Sequence, residues 1–330
     1  MKLVIQIPCY NEAESLPHAM PQLPRRVAGC DVVEWLVVDD GSDDDTAAVA
    51  TALGADRVVR HPVNRGLAAA FMTGLEAAVA SGADIIVNTD ADNQYDARDI
   101  ESLVQPIIDG RAEIVIGARP IAATEHFSWL KKRLQEIGSW VVRLASNTEV
   151  VDAPSGFRAF TREAAQRLNV FSAYTYTLET IIQAGHSNIR VLSVPVRTNP
   201  DLRPSRLVKS IGRYVWRSAS TIVRIFATYR PLVFFSLIAS FFLLLGLGSG
   251  GWYLAHKFAG EGAGHVQSAL LAAASITIGL IALMLGFVAD LLGVNRRLLE
   301  GIDWRVRQLE DVAHSSSPTE AITDARERAQ

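Results

Sequence analysis

The sequence predicts an α/β protein: a mainly parallel, Rossmann-like sheet followed by a two-helix transmembrane hairpin. Three observations carry that expectation. Short apolar runs near residues 2–8, 34–39, 56–60, 84–89, 113–118 and 189–196 alternate with helix-patterned segments, which is how parallel strands with helices on both faces read in sequence. Four of the runs end in polar or turn-forming stretches, "PCYNEAE", "DDGSDDDT", "TDADNQ" and "GARP", at the strand ends where such sheets bind ligands. Two uncharged runs, residues 231–255 and 266–289, are 25 and 24 residues long, and about 20 suffice to cross a bilayer as a helix.

Composition narrows the function. Acidic residues outnumber basic ones 35 to 32, a formal net charge of -3, which argues against a nucleic-acid partner because neutralising phosphates needs a basic surface. Cys9 in a strand and Cys30 in a loop give neither a disulfide framework nor metal-ligand spacing and fit a reducing compartment. The opening "MKLVIQIPCYNEAES" reads as a first strand, not a signal peptide. No GxGxxG follows it and no GxxxxGK[ST] occurs, so neither a dinucleotide oxidoreductase nor a P-loop enzyme is expected.

Taken in order, the second run leads into "DDGSDDDT", where Ser42 can cap a helix and Asp43 to Asp45 suit its positive end. The fourth run, "DIIVNTDADNQY", places Asp90, Asp92 and Gln94 on alternate positions; in an extended chain they share a face, and clustered oxygens call for a cation. An ordinary solvated turn is the alternative. With no glycine-rich loop to cradle a phosphate, Mg²⁺ or Mn²⁺ on Asp90 and Asp92 would neutralise one, since these ions take one or two carboxylates plus substrate oxygens.

Residues 206–230 project as a basic amphipathic helix. Arg206, Lys209, Arg213, Arg217 and Arg224 share an arc of roughly 80°, opposite Leu207, Ile211, Val215 and Ile222, as in a helix lying in the headgroup layer. Spans are expected over 231–255 and 266–290. Basic residues crowd both outer flanks, including Arg230, Arg296, Arg297, Arg305 and Arg307, against a single Lys257 between the spans. The positive-inside rule then keeps both ends cytoplasmic, making a multi-pass inner-membrane protein with a cytoplasmic domain over 1–205 and a cytoplasmic tail over 291–330, polar and disordered from about residue 315.

The ordered set "IPCYNEAESL", "VVDDGSDDDT", "HPVNRGLAAA", "TDADNQ" and "DAPSGFRAF", followed by two spans, resembles the glycosyltransferase family 2 enzymes of GT-A fold, and more closely the polyprenyl-phosphate glycosyltransferases that include dolichyl-phosphate mannose synthases. The resemblance implies that Pro8, Tyr10 and Glu12 shape the nucleotide pocket, Asp39 and Asp40 read base and ribose, and Arg65 touches a phosphate. It implies a metal at Asp90, Asp92 and Gln94, an acceptor phosphate held by Arg119, Lys132, Arg133, Ser155 and Arg158, and Asp152 orienting the acceptor or serving as a weak base. Arg203 would close over the diphosphate, although Pro204 and Arg206 stand where relatives carry glycine and lysine. The implied partners are a nucleotide sugar, UDP- or GDP-linked, polyprenyl phosphate, the bilayer, a homo-oligomer and a flippase. Two other readings stay open: a catalytically silent scaffold that binds a nucleotide sugar, and a processive polysaccharide synthase, which would be expected to carry more spans and a QxxRW motif.

Overall fold

The computed structural model describes residues 1–120, 139, 140, 142, 143, 146, 148–170, 176–199, 220, 223, 224, 227–260 and 265–315. The chain forms two compact units, one of residues 1–209 with 300–330 and the other of residues 210–299. In the first, strands Lys2–Cys9 (β1), Val32–Asp39 (β2), Arg57–Arg60 (β3), Ile85–Asn88 (β4), Ile114–Ala118 (β5), Arg158–Thr161 (β6) and Val191–Pro195 (β7) form one sheet in the order β3-β2-β1-β4-β6-β5-β7. Helices Leu16–Ala19 (α1), Thr46–Ala52 (α2), Leu67–Ala80 (α3), Ile100–Ile108 (α4), Arg162–Arg167 (α5) and Thr177–His186 (α6) lie between them in sequence.

The central strands are apolar on both faces because both faces are covered. Leu3, Val4, Ile5 and Ile7 of β1 are all buried, the pattern of an interior parallel strand. Strand order reverses direction at β1 and β4, which pair in parallel from Leu3 with Ile85 to Gln6 with Asn88. A ligand crevice opens at such a switch point, beyond the carboxyl ends of the strands.

Six strands lie where the apolar runs predict them. The seventh, β6, has no counterpart in the sequence reading, and it carries the site. It runs antiparallel between β4 and β5, with Arg158 opposite both Asn88 and Ile116. Its amino end therefore lies at the edge where β4 and β5 have their carboxyl ends, which brings the preceding residues 152–157 into the crevice.

In the second unit, Pro231–Phe258 (α7) and Val266–Arg296, the first part of the helix Val266–Ser315 (α8), are each long and apolar enough to cross a membrane. Their most apolar windows are only 11% and 28% buried, so these are not core helices of a soluble fold; Leu270, Met284 and Phe287 are more than half exposed. The helices meet along small residues. Ala272, Ser275, Gly279, Ala282 and Gly286 are all buried and recur at alternating steps of three and four. A Cβ on Gly279 would come within 2.8 Å of Leu243, and one on Gly286 within 2.8 Å of Phe235. Such close approach supplies the van der Waals contact that holds helices together in lipid, where burial of apolar surface gives nothing. Residues 291–315, expected as tail, continue α8 without a break.

Candidate active site

The loops after β1 and β2 are laced together. Asn11, at φ 54, donates its N–H to Ser42 Oγ and accepts from Asp43 N, both at 2.9 Å, while Glu12 N donates to Thr46 Oγ1 at 2.9 Å. Gly41 is required twice over: it sits at φ 69, and a Cβ there would lie 2.4 Å from the carbonyl carbon of Val63. Pro8 is buried in β1 and Tyr10 lies exposed just beyond it. The acidic strand ends converge: burial raises the Cys9 thiol pKa, and the negative field of Glu12, Asp39, Asp44 and Asp90 raises it further.

Asp39 and Asp40 separate in role. Asp39 is fully buried, takes Ser42 N on Oδ1 at 2.9 Å, and holds Oδ2 3.2 Å from Arg60 Nε without the geometry of a hydrogen bond. That oxygen is buried against the Arg60 guanidinium. Asp40 does not act as expected. Its Oδ1 pairs with His61 Nδ1 at 2.7 Å and accepts Arg65 N at 2.9 Å, and its Oδ2 accepts Gly66 N at 2.8 Å. Both oxygens organise the loop before α3, so Asp40 is a positioning residue for that loop. His61 completes the link through Thr73 Oγ1 at 3.0 Å. The Arg65 side chain is exposed at this rim.

Beyond β4 the chain is not extended. Residues 91 and 92 form a turn and Asn93 adopts φ 59, so the alternation that suggested three oxygens on one strand face does not describe the segment. Asp92 Oδ1 accepts Gln94 N at 3.0 Å, and Gln94 Oε1 accepts from Arg119 Nη1 at 3.3 Å. What remains is a carboxylate pair. Asp90 has its pKa pushed up to about 7, first by burial and then by Asp92, with Arg119 and Arg158 opposing. Two like charges at a half-desolvated site are relieved by a proton or by a cation. Among the described residues no group of three or more His, Cys, Asp or Glu forms a metal cage, and two carboxylates suit an ion whose other ligands are substrate oxygens and water.

A buried polar floor fixes this pair. Gly156 lies against Asp90, since a Cβ on it would fall 2.8 Å from Asp90 Oδ2 and 2.9 Å from the Tyr176 hydroxyl. Gly156 O accepts from Asn88 Nδ2 at 2.8 Å, Asn88 Oδ1 accepts from Gln6 Nε2 at 2.9 Å, and Tyr176 stacks on Phe71 at 3.9 Å. Tyr95 accepts Gly156 N at 3.1 Å, and burial pushes its own hydroxyl up to about 12.

The cations divide likewise. Arg119 donates to Asp152 through Nε at 2.7 Å and Nη2 at 3.0 Å, a forked pair whose carboxylate is fully buried. Asp152 is thereby committed to orienting Arg119, which corrects its assignment as a weak base. Arg158 is fully buried, giving its donors to Ser155 O and Ala153 O at 2.7 Å and to Thr180 Oγ1 at 2.6 Å. Burial pulls it down to about 10, which still leaves it charged at neutral pH. Arg158 and the equally buried Ser155 form the support under the site, a correction to their expected contact with an acceptor phosphate. Lys132, Arg133 and Arg203, and most of the amphipathic segment 206–230, lie outside the described residues.

Comparison with known proteins accords with this geometry. Residues 4–168 match the profile of Glycosyl transferase family 2. Among curated relatives, a UDP-N-acetylglucosamine–dolichyl-phosphate N-acetylglucosaminyltransferase of Methanococcus voltae is 30% identical over 213 residues, covering 58% of this chain and 83% of that protein. The polyprenol monophosphomannose synthase of Mycolicibacterium smegmatis is 28% identical over 206 residues, 59% of this chain and 76% of its own. The undecaprenyl-phosphate mannosyltransferase of Micrococcus luteus is 27% identical over 206 residues, 59% and 83%. Glucosyl-3-phosphoglycerate synthase from Mycobacterium tuberculosis, solved with Mn²⁺ and UDP-glucose, superposes with a TM-score of 0.52 at 22% identity over 68% of this chain and 78% of that one, a likeness of fold. With the sheet, the acidic crevice and the profile in agreement, this chain belongs to glycosyl transferase family 2, and it is a glycosyltransferase of GT-A fold.

Proposed function

We propose that the protein is a membrane-anchored, inverting hexosyltransferase that moves a sugar from a UDP- or GDP-linked donor to the phosphate of a polyprenyl phosphate. The observation that carries this is the Asp90–Asp92 pair beyond β4, facing an Arg119 that Asp152 holds in a fixed orientation. Three relatives named for polyprenyl, dolichyl or undecaprenyl phosphate acceptors support the acceptor class. Two helices of membrane-crossing length support a lipid-confined one.

Asp90 and Asp92 would hold Mg²⁺ or Mn²⁺, which when bound neutralises charge developing on the departing diphosphate. Asp39, paired with Arg60 at the end of β2, lines the nucleoside pocket, and the loop fixed by Asp40 and His61 walls it. Arg119 presents a guanidinium to the acceptor phosphate, its direction set by the forked pair with Asp152. The acceptor needs no general base, because a phosphate monoester with a second pKa of about 6 is already ionised at neutral pH. The basic flanks of the spans support a cytoplasmic site.

The test uses the full chain in detergent with polyprenyl phosphate, offering labelled UDP-glucose, UDP-N-acetylglucosamine, UDP-galactose and GDP-mannose separately, with Mn²⁺ or Mg²⁺ and again with chelator. Chelator-sensitive label in the lipid phase from one donor is expected. Nucleotide binding without transfer from any donor would favour a silent scaffold instead.

A further inference from the structure

The segment that leaves the sheet after β7, residues 196–199, lies across the acidic turn and is tied to it along its length. Thr198 bridges Tyr95, and Asp96 N donates to Arg197 O at 3.2 Å. Arg197 in turn donates to the Asp99 carboxylate through its backbone N at 2.6 Å and Nε at 3.0 Å. Asn199 reaches the turn itself. Its side-chain Nδ2 donates to Asn93 O at 3.0 Å and Tyr95 O at 3.2 Å, and its backbone N donates to Gln94 O at 2.9 Å. One residue thus binds three successive carbonyls of the turn that follows Asp92.

We propose that Asn199 is a positioning residue for the Asp90–Asp92 pair. The turn contains a strained element, Asn93 at φ 59, a conformation that asparagine tolerates better than most residues but that surrounding bonds must hold. The Asp92 carboxylate is oriented by accepting Gln94 N at 3.0 Å, so its direction depends on where Gln94 lies. Asn199 fixes Gln94 directly and its two neighbours through one amide. Without that amide the carbonyls of Asn93 and Tyr95 lose a donor, the left-handed residue can relax, and the carboxylate pair loses its shared aim. The inference rests on the cation reading of Asp90 and Asp92.

The test measures Mn²⁺ affinity by electron paramagnetic resonance in the full-length protein with UDP or GDP present, for wild type, Asn199→Ala and the near-isosteric Asn199→Asp. Partners that orient metal ligands typically change affinity about 10- to 100-fold, and a weakening of at least about 10-fold is expected in both variants, with unchanged circular dichroism. In turnover, the KM for the nucleotide sugar should rise and be restored by excess Mn²⁺, while the KM for lipid phosphate stays put; a merely destabilised protein would not be rescued by metal. A folded variant binding Mn²⁺ within about twofold of wild type overturns the inference. Unfolding of both variants overturns it in favour of a structural role. Failure of the wild type itself to bind Mn²⁺ removes the cation reading, a distinguishable outcome.

Discussion

Asp90→Asn should make the metal-free protein more stable at pH 8 and much less so at pH 5. Burial and the neighbouring Asp92 lift the Asp90 carboxyl from 3.8 to about 7, so the folded state holds its proton where the unfolded chain has released it. A carboxyl raised in this way contributes stability at low pH that is lost as pH climbs from about 4 to about 7. From pH 5 to pH 7 that is two decades at about 1.4 kcal/mol each, or on the order of 3 kcal/mol. For a domain of about 200 residues, each kcal/mol moves Tm by about 2–4 °C, so the gain at pH 8 should exceed that at pH 5 by about 6–12 °C. The assay is thermal unfolding followed by tryptophan fluorescence in detergent, in the presence of chelator, at both pH values. Adding Mn²⁺ with a nucleoside diphosphate should then raise the wild type and not the variant. Equal melting at pH 8, or a gain that fails to shrink toward pH 5, would refute the claim that the pair is held in electrostatic tension.

Three other changes probe neighbouring parts of the site. Gly156→Ala places a Cβ 2.8 Å from Asp90 Oδ2, and at least about a tenfold fall in turnover is expected with the fold retained by circular dichroism. Asp40→Ala leaves Arg65 N, Gly66 N and His61 without their acceptor, and a loss of about 2–4 kcal/mol in denaturant unfolding should accompany weaker nucleotide binding. Arg119→Ala removes both guanidinium donors and the countercharge from the buried Asp152 carboxylate and should cost about 3–5 kcal/mol, largely recovered in the Arg119→Ala, Asp152→Asn double variant without recovery of transfer.

The sequence made most of the sheet legible because central parallel strands are continuous apolar runs, and it marked the crevice because their ends turn acidic. It hid β6. "RAFT" is four residues long and opens with an arginine, and its strand identity comes from Asn88 and Ile116, far away in sequence. The same distance hides the roles. Asp39 and Asp40 are adjacent and chemically alike, yet only the fold aims one at Ser42 and Arg60 and the other at the amides of residues 65 and 66. His61, Asn88, Gln6 and Tyr176 passed unnoticed because a buried polar network has no periodicity. The motif "SGFR" offered a signal, but its message concerned the glycine that Asp90 rests against rather than the arginine beneath.

The chain leaves β5 at Ala118 and returns at Arg158 on the neighbouring strand, so residues 119–157 begin and end at one rim of the sheet. An excursion rooted like this is a cassette. Its two ends are bound into the site, Arg119 to Asp152 at one and Gly156 against Asp90 at the other, so a change of sequence between them leaves the strands that carry Asp39 and Asp90 in register.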